Sequence, residues 1–131
     1  MFMVFIPIDF LDLAEYLYKF SPSPNINREA MLRTVISRSY YSAFLYAREF
    51  LKHHTSSNIT YSTRDHSIIR ELLVNIGLIT AANILKYLRH MRNDADYNLN
   101  TNITECDASD AIINAKQVVD IIRKKIGDMR P

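Results

Sequence analysis

Residues 27–54 read NREAMLRTVISRSYYSAFLYAREFLKHH, twenty-eight positions without a glycine or a proline. Asn27 is a good N-cap, because its short side chain can accept from a free N–H of the first turn, and the helix it opens runs to about His54. Along it, Leu32, Val35, Ile36, Tyr40, Ala43, Phe44, Ala47, Phe50 and Leu51 cover a wide arc rather than one narrow stripe. A helix apolar around that much of its circumference is central to its fold, touching several neighbours or a second subunit. Within it, Ser37-Arg38-Ser39-Tyr40-Tyr41-Ser42-Ala43 combines small residues, which allow close helix approach, with two phenols that need hydrogen-bond partners if buried.

Outward from this element, the remaining segments also carry helical periodicity. A first helix is expected from about Asp9 to Phe20, with Phe10, Leu13, Ala14 and Leu17 at helical spacing, stopped by Ser21-Pro22-Ser23-Pro24. After a polar loop from Thr55 to Ser62, a third helix capped by Ser62 or Thr63 carries Ile68, Ile69, Leu72, Leu73 and Ile76, and Gly77 ends it. A fourth helix begins near Thr80 and places Leu85, Leu88, Arg89 and Arg92 on one face. It is expected to loosen shortly after Arg92, since Asn93, Asp94, Asn98 and Asn100 favour turns. Thr104, with Asp107 three residues on, is a short-armed capping box for the last helix, whose face is Ala108, Ala111, Ile112, Ala115, Val118, Val119 and Ile122. With 131 residues, two glycines, four prolines and 48% hydrophobic residues, the chain reads as a single all-α domain spanning residues 1–131, a helical bundle of about five helices.

Composition also limits the chemistry. Glycines only at 77 and 127 leave no glycine-rich phosphate loop, and a single cysteine, Cys106, permits no internal disulfide and suits a reducing, cytoplasmic setting. His53 and His54 are adjacent and so point to different helix faces, which argues against a shared metal. The apolar start, Met1 to Ile8, lacks a basic lead and is too short for a membrane span, so it is expected to pack on the domain or on a partner. The two Asn-x-Thr sequons, at Asn58 and Asn102, would matter only in a secreted protein. The formal charge of +2 hides an asymmetry: between Arg28 and Arg92 ten basic residues face four acidic ones, while the acids gather in the first and last helices. A basic centre attracts a polyanion through counterion release, although solvated surface produces the same pattern.

Hydrogen-bonding chemistry is densest in Leu85-Lys86-Tyr87-Leu88-Arg89-His90-Met91-Arg92-Asn93-Asp94-Ala95-Asp96-Tyr97-Asn98-Leu99. Two readings of it stand side by side. Arginine beside an amide and a phenol suits phosphodiester recognition, because a guanidinium fork matches phosphate oxygens and stays charged. Arg89 or Arg92 paired with Asp94 or Asp96 would equally make an internal lock that pins the loop to the bundle.

The run Ser37-Arg38-x-Tyr40-Tyr41-x-Ala43-Phe44, then His66 at the start of helix three, then Leu88-Arg89-x-x-Arg92-Asn93-x-Ala95-Asp96-Tyr97, resembles the HEPN domain family in order and spacing, over nearly the whole chain. The resemblance implies an α-helical bundle that usually dimerises. Many members are metal-independent ribonucleases without cofactors, found in toxin–antitoxin pairs with small nucleotidyltransferases and in phage defence; others are non-catalytic RNA-binding or accessory subunits. The family's active motif is an arginine, usually followed by a polar residue, with a histidine after four to six intervening residues. Arg92-Asn93 matches its first half. Tyr97, Asn98 and Leu99 occupy the histidine's place, so this chain resembles a subgroup with Arg-Asn-x-Ala-Asp-Tyr there. Arg48 with His53 or His54 meets the bare spacing at the wrong end of helix two.

The resemblance therefore implies a catalytic set of Arg92, Asn93 and Tyr97, RNA contacts from Arg89, Arg38 and His90, and support from Asp96, Tyr40, Tyr41 and His66, with no metal. Metal-free cleavage needs a group that moves protons near neutral pH, and tyrosine, titrating near ~10, is a poor general base. His90 and His66 are the histidines that could stand in. The expected partners are RNA, a second copy of the chain and a small nucleotidyltransferase or other effector, with no membrane. By analogy Tyr97 is a candidate acceptor for adenylate. The alternative function is a non-catalytic interaction subunit that binds such a nucleotidyltransferase or effector.

Overall fold

A computed structural model describes residues 5–20, 25–55 and 59–129. The described residues form five helices and no strand: α1 (Ile8–Lys19), α2 (Arg28–His54), α3 (Asp65–Asn75), α4 (Ile79–Tyr97) and α5 (Glu105–Asp128). Ser21–Pro24, expected to stop the first helix, lie outside the described residues, as do Met1–Val4 of the apolar start and Asn58 of the first sequon.

Helix α2 is the centre of the bundle and touches all four of the others. Its wide apolar arc explains this: Val35, Ile36, Ala43, Ala47 and Leu51 are sealed from solvent, and so are Ser39 and Ser42, whose small side chains let neighbouring helices come close. Around it, α5 packs against both α1 and α4, while α3 rests only on α2 and α4. The core continues through Leu11 and Ala14 of α1, Ile69 and Leu73 of α3, Leu85 and Leu88 of α4, and Ala108, Ala111, Ala115, Val118 and Ile122 of α5.

The helix ends follow local chemistry. Asn27 Oδ1 accepts from the Ala30 N–H at 3.0 Å. At α5 the capping box is complete, with Thr104 N–H donating to Asp107 Oδ2 at 2.9 Å and Asp107 N–H to Thr104 Oγ1 at 3.3 Å. Gly77, at φ +87, closes α3 in the left-handed region that glycine enters without Cβ strain. Two expectations are corrected. Neither Ser62 nor Thr63 caps α3 directly; Ser62 starts a turn whose carbonyl accepts the Asp65 N–H at 3.0 Å, and the helix begins at Asp65, an acid in its first turn.

The second correction concerns α4, which stays helical to Tyr97 instead of loosening after Arg92. Arg33 of α2 is the reason. Its Nη1 donates to the carbonyls of Asp94, Ala95 and Asn98 at 3.0–3.2 Å, and its Nη2 to that of Thr101 at 2.6 Å. One guanidinium thus gathers carbonyls from the last turn of α4 and from the turn that follows it, and buried Ala95 ties that last turn to the core.

Candidate functional site

The inward stripe of α4 is Leu85, Leu88, Arg92 and Ala95, so an arginine occupies a core position. Arg92 is only 6% exposed. Its guanidinium carbon lies 5.5 Å from the Tyr40 ring centroid, 5.3 Å from that of Tyr41 and 5.7 Å from that of Tyr97. The electron-rich ring faces repay part of the cost of desolvating the cation. The Asp96 carboxylate is 3.9 Å from Nη1, and Nε is buried with no hydrogen-bond partner. Because Arg92 and Asp96 belong to the same helix, their pair fixes nothing across elements. The link between helices comes from Ser37 of α2, which donates to Asp96 Oδ2 at 3.1 Å.

Arg89, one turn earlier, also has a buried Nε without a partner. Facing the pair is an aromatic stack built by α2 and α3. The His66 ring lies 4.5 Å from Phe44 and 5.7 Å from Tyr40, nearly parallel to both, and the Tyr40 hydroxyl is hydrogen-bonded to His66 Nδ1. Burial raises the pKa of the Tyr40 phenol, against the smaller opposing pull of Arg89 and Arg92. The His66 imidazole is pushed down to about 4, first by burial and then by the Arg89 and Arg92 charges. Both groups are therefore neutral near pH 7.

The structure brings together most of the residues named from sequence. Arg89, Arg92, Asp96, Tyr40, Tyr41 and His66 form one cluster where α2, α3 and α4 meet. Arg38 stands at its rim, stacked on Phe10 of α1 at 4.8 Å and on the same Tyr41 ring at 5.2 Å, with Nη2 donating to Ser37. Asn93 is exposed, and Tyr97 is 72% exposed with its ring over Arg92. His90 is set apart: it faces a different groove, beside Tyr87, Met91, Asp94 and Asp107. Arg48 packs on Tyr61 at 4.8 Å, and His54 stacks on Phe50.

Sequence reasoning missed Arg33, whose role at the end of α4 shows only in three dimensions. It also missed a groove of about 490 Å³ between α3 and α4, lined by Ser67, Arg70, Glu71, Val74, Asn83 and Lys86 among others. Arg70 lies one turn after His66, with its Nε donating to the His66 carbonyl at 3.2 Å, and Lys86 lies one turn before Arg89. Arg89 and Arg92 are not in its lining, but Lys86 shares their side of α4 by spacing, and the Lys86, Arg89, Arg92 series was the signal that could have found it. Among the described residues no three His, Cys, Asp or Glu side chains gather in a way that could hold a metal ion. No helix among them is long and apolar enough to cross a membrane.

A buried cation with incomplete hydrogen bonding, an aromatic rim and a basic approach make a site suited to an anion that also offers flat faces for stacking. Two uncharacterized proteins of the archaeon Methanocaldococcus jannaschii are similar to the chain. One is 30% identical over 111 residues, covering 73% of this chain and 65% of its own length. The other is 30% identical over 139 residues, covering 92% of this chain and 74% of its own length. The chain thus spans just under two thirds of the first and about three quarters of the second. No solved structure gives a significant match. The HEPN domain model matches residues 9–125, from the second residue of α1 to the last turns of α5, and the chain belongs to the HEPN domain family.

Proposed function

We propose that this HEPN domain binds single-stranded RNA at the Arg89–Arg92 site, as the RNA-engaging component of a two-gene toxin–antitoxin or defence module. It belongs, on this proposal, to the subgroup in which Arg-Asn-x-Ala-Asp-Tyr replaces the arginine and histidine of the active motif. The observation that carries the proposal is a pair of arginines on successive turns of α4, Arg92 buried and Arg89 half-buried, each with a buried Nε that has no hydrogen-bond partner, and with one carboxylate, Asp96, 3.9 Å from Arg92 Nη1. A buried charge left short of partners is costly, and a phosphodiester supplies both the opposite charge and the missing acceptors. Tyr41 and Tyr97 offer faces on which bases can stack, and Arg70 and Lys86 extend the positive track along the α3–α4 groove. Binding is favoured over hydrolysis because Tyr97 stands where the proton-moving histidine would be. An internal lock is the weaker reading, since the Arg92–Asp96 pair lies within one helix. The proposed active form is a homodimer, with exposed Leu99, two residues beyond Tyr97, as part of the surface a second copy covers.

The test is fluorescence anisotropy of a labelled oligoribonucleotide without metal, comparing wild type with Arg89→Gln and Arg92→Lys. Circular dichroism checks the fold and light scattering the subunit number. Each variant should weaken binding by about tenfold or more, the equivalent of about 1.4 kcal/mol. Equal binding by folded variants would overturn the site. Arginine-dependent cleavage of the RNA in the same samples would replace binding with hydrolysis as the function, and a monomer at working concentration would remove the dimer.

A further inference from the structure

His66 opens α3, the helix that packs only on α2 and α4, and its ring stacks on Phe44 and Tyr40. Tyr40 is 1% exposed and stays a neutral phenol hydrogen-bonded to His66 Nδ1, a bond in which either group can donate. With the phenol donating, Nδ1 accepts and the neutral imidazole carries its own hydrogen on Nε2. Among the described residues Nε2 has no protein partner. An uncharged donor thus stands near two arginines whose Nε atoms themselves lack acceptors.

We propose that His66 is the third arm of the anion site, donating from Nε2 to a phosphate oxygen held by Arg89 and Arg92, with Tyr40 fixing the ring's tautomer. The inference rests on the RNA proposal above, whose arginine pair it extends. It predicts a coupling between binding and protonation. In the free protein burial first, and then the charges of Arg89 and Arg92, hold the ring neutral, and Arg70 adds to their effect while Asp65 opposes it. A phosphate anion cancels the field of Arg89 and Arg92 and adds an attraction of its own, so the bound ring takes up one proton from solvent. That proton goes onto Nδ1, where the hydrogen bond reverses: the ring donates and the Tyr40 oxygen accepts. The charged and titratable groups that act on the ring are Tyr40 from α2, Asp65 and Arg70 from α3, and Arg89 and Arg92 from α4. Affinity should therefore increase as pH falls from the ordinary histidine range towards 4, about tenfold for each unit by which binding raises the ring's pKa.

The experiment is a ¹H–¹³C NMR titration of the histidine rings across this pH range, with and without a 2′-O-methyl oligouridylate, which binds as RNA does but offers no 2′-hydroxyl for cleavage. The His66 signal is assigned with His66→Gln, and the affinity of that variant is followed over the same pH range. The expected result is a His66 midpoint that moves up by at least about one unit on binding, and a flattened pH dependence of affinity in His66→Gln. Arginine-dependent binding with an unmoved His66 midpoint would overturn this inference and leave the RNA site standing. No binding, or binding indifferent to Arg89→Gln and Arg92→Lys, would remove both.

Discussion

A side chain's neighbours decide its chemistry more than its type does, and His66 illustrates this at the scale of one residue. Burial against Phe44 and Tyr40, followed by the charges of Arg89 and Arg92, takes its pKa from an ordinary 6.5 to about 4. The unfolded chain therefore binds more protons at this position than the folded protein does between those two values. Stability must rise with pH across that window, be fully present above it, and be progressively lost as pH falls towards 4. His66→Gln removes the titration, so urea unfolding of wild type and variant at a series of pH values should give curves whose difference changes between about 6.5 and 4 and is constant outside. A constant difference throughout would mean that the histidine titrates alike in both states. His66 was visible in the sequence as part of a motif, but its partner was not. Tyr40 is twenty-six residues away, and only the crossing of α2 and α3 brings the phenol to the ring.

The elements divide into those that follow from local pattern and one that does not. Four of the five helices begin and end close to the positions that periodicity and capping residues indicate, because Asn27, Gly77, Thr104 and Asp107 act within their own turn. The end of α4 defies its local signals: asparagines and aspartates favour turns, yet the helix reaches Tyr97. Arg33, sixty-one residues before Asp94, supplies the compensation: its Nε donates to Glu29 in its own helix, while Nη1 and Nη2 donate to four carbonyls at the end of α4 and in the turn beyond it. Most of the candidate site was legible for the same reason that the fold was: Arg89, Arg92 and Asp96 share a helix face by spacing alone. Arg33→Ala should cost about 2–3 kcal/mol, as expected for losing charge-assisted hydrogen bonds to part-buried carbonyls. Amide exchange should accelerate selectively in the last turn of α4 and through Thr101. Uniform acceleration across the bundle, or no change in residues 94–101, would show that some other contact holds this helix end.

Across the whole molecule, basic and acidic residues are segregated along the chain, and the packing order gives that segregation a direction. Acids concentrate in α1 and α5, which pack on each other, whereas α3 stands away from both, against α2 and α4. The α3–α4 groove is lined by Arg70 and Lys86, together with Glu71, and Lys86 is one turn from Arg89. A strand that follows this groove would release counterions at each phosphate it places near a cation, so affinity should fall linearly with the logarithm of salt concentration. Each phosphate contact contributes roughly 0.7 to that slope for a single strand. Arg70→Gln and Lys86→Gln, both outside the arginine pair, should each reduce the slope by about that amount and weaken all sequences alike, whereas Lys124→Gln on the exposed side of α5 should leave it unchanged. If all three substitutions lower the slope equally, the attraction is a property of net charge and the groove has no part in it. If Arg70→Gln and Lys86→Gln leave the slope unchanged while Arg89→Gln lowers it, the strand reaches the arginine pair from the Tyr97 side instead.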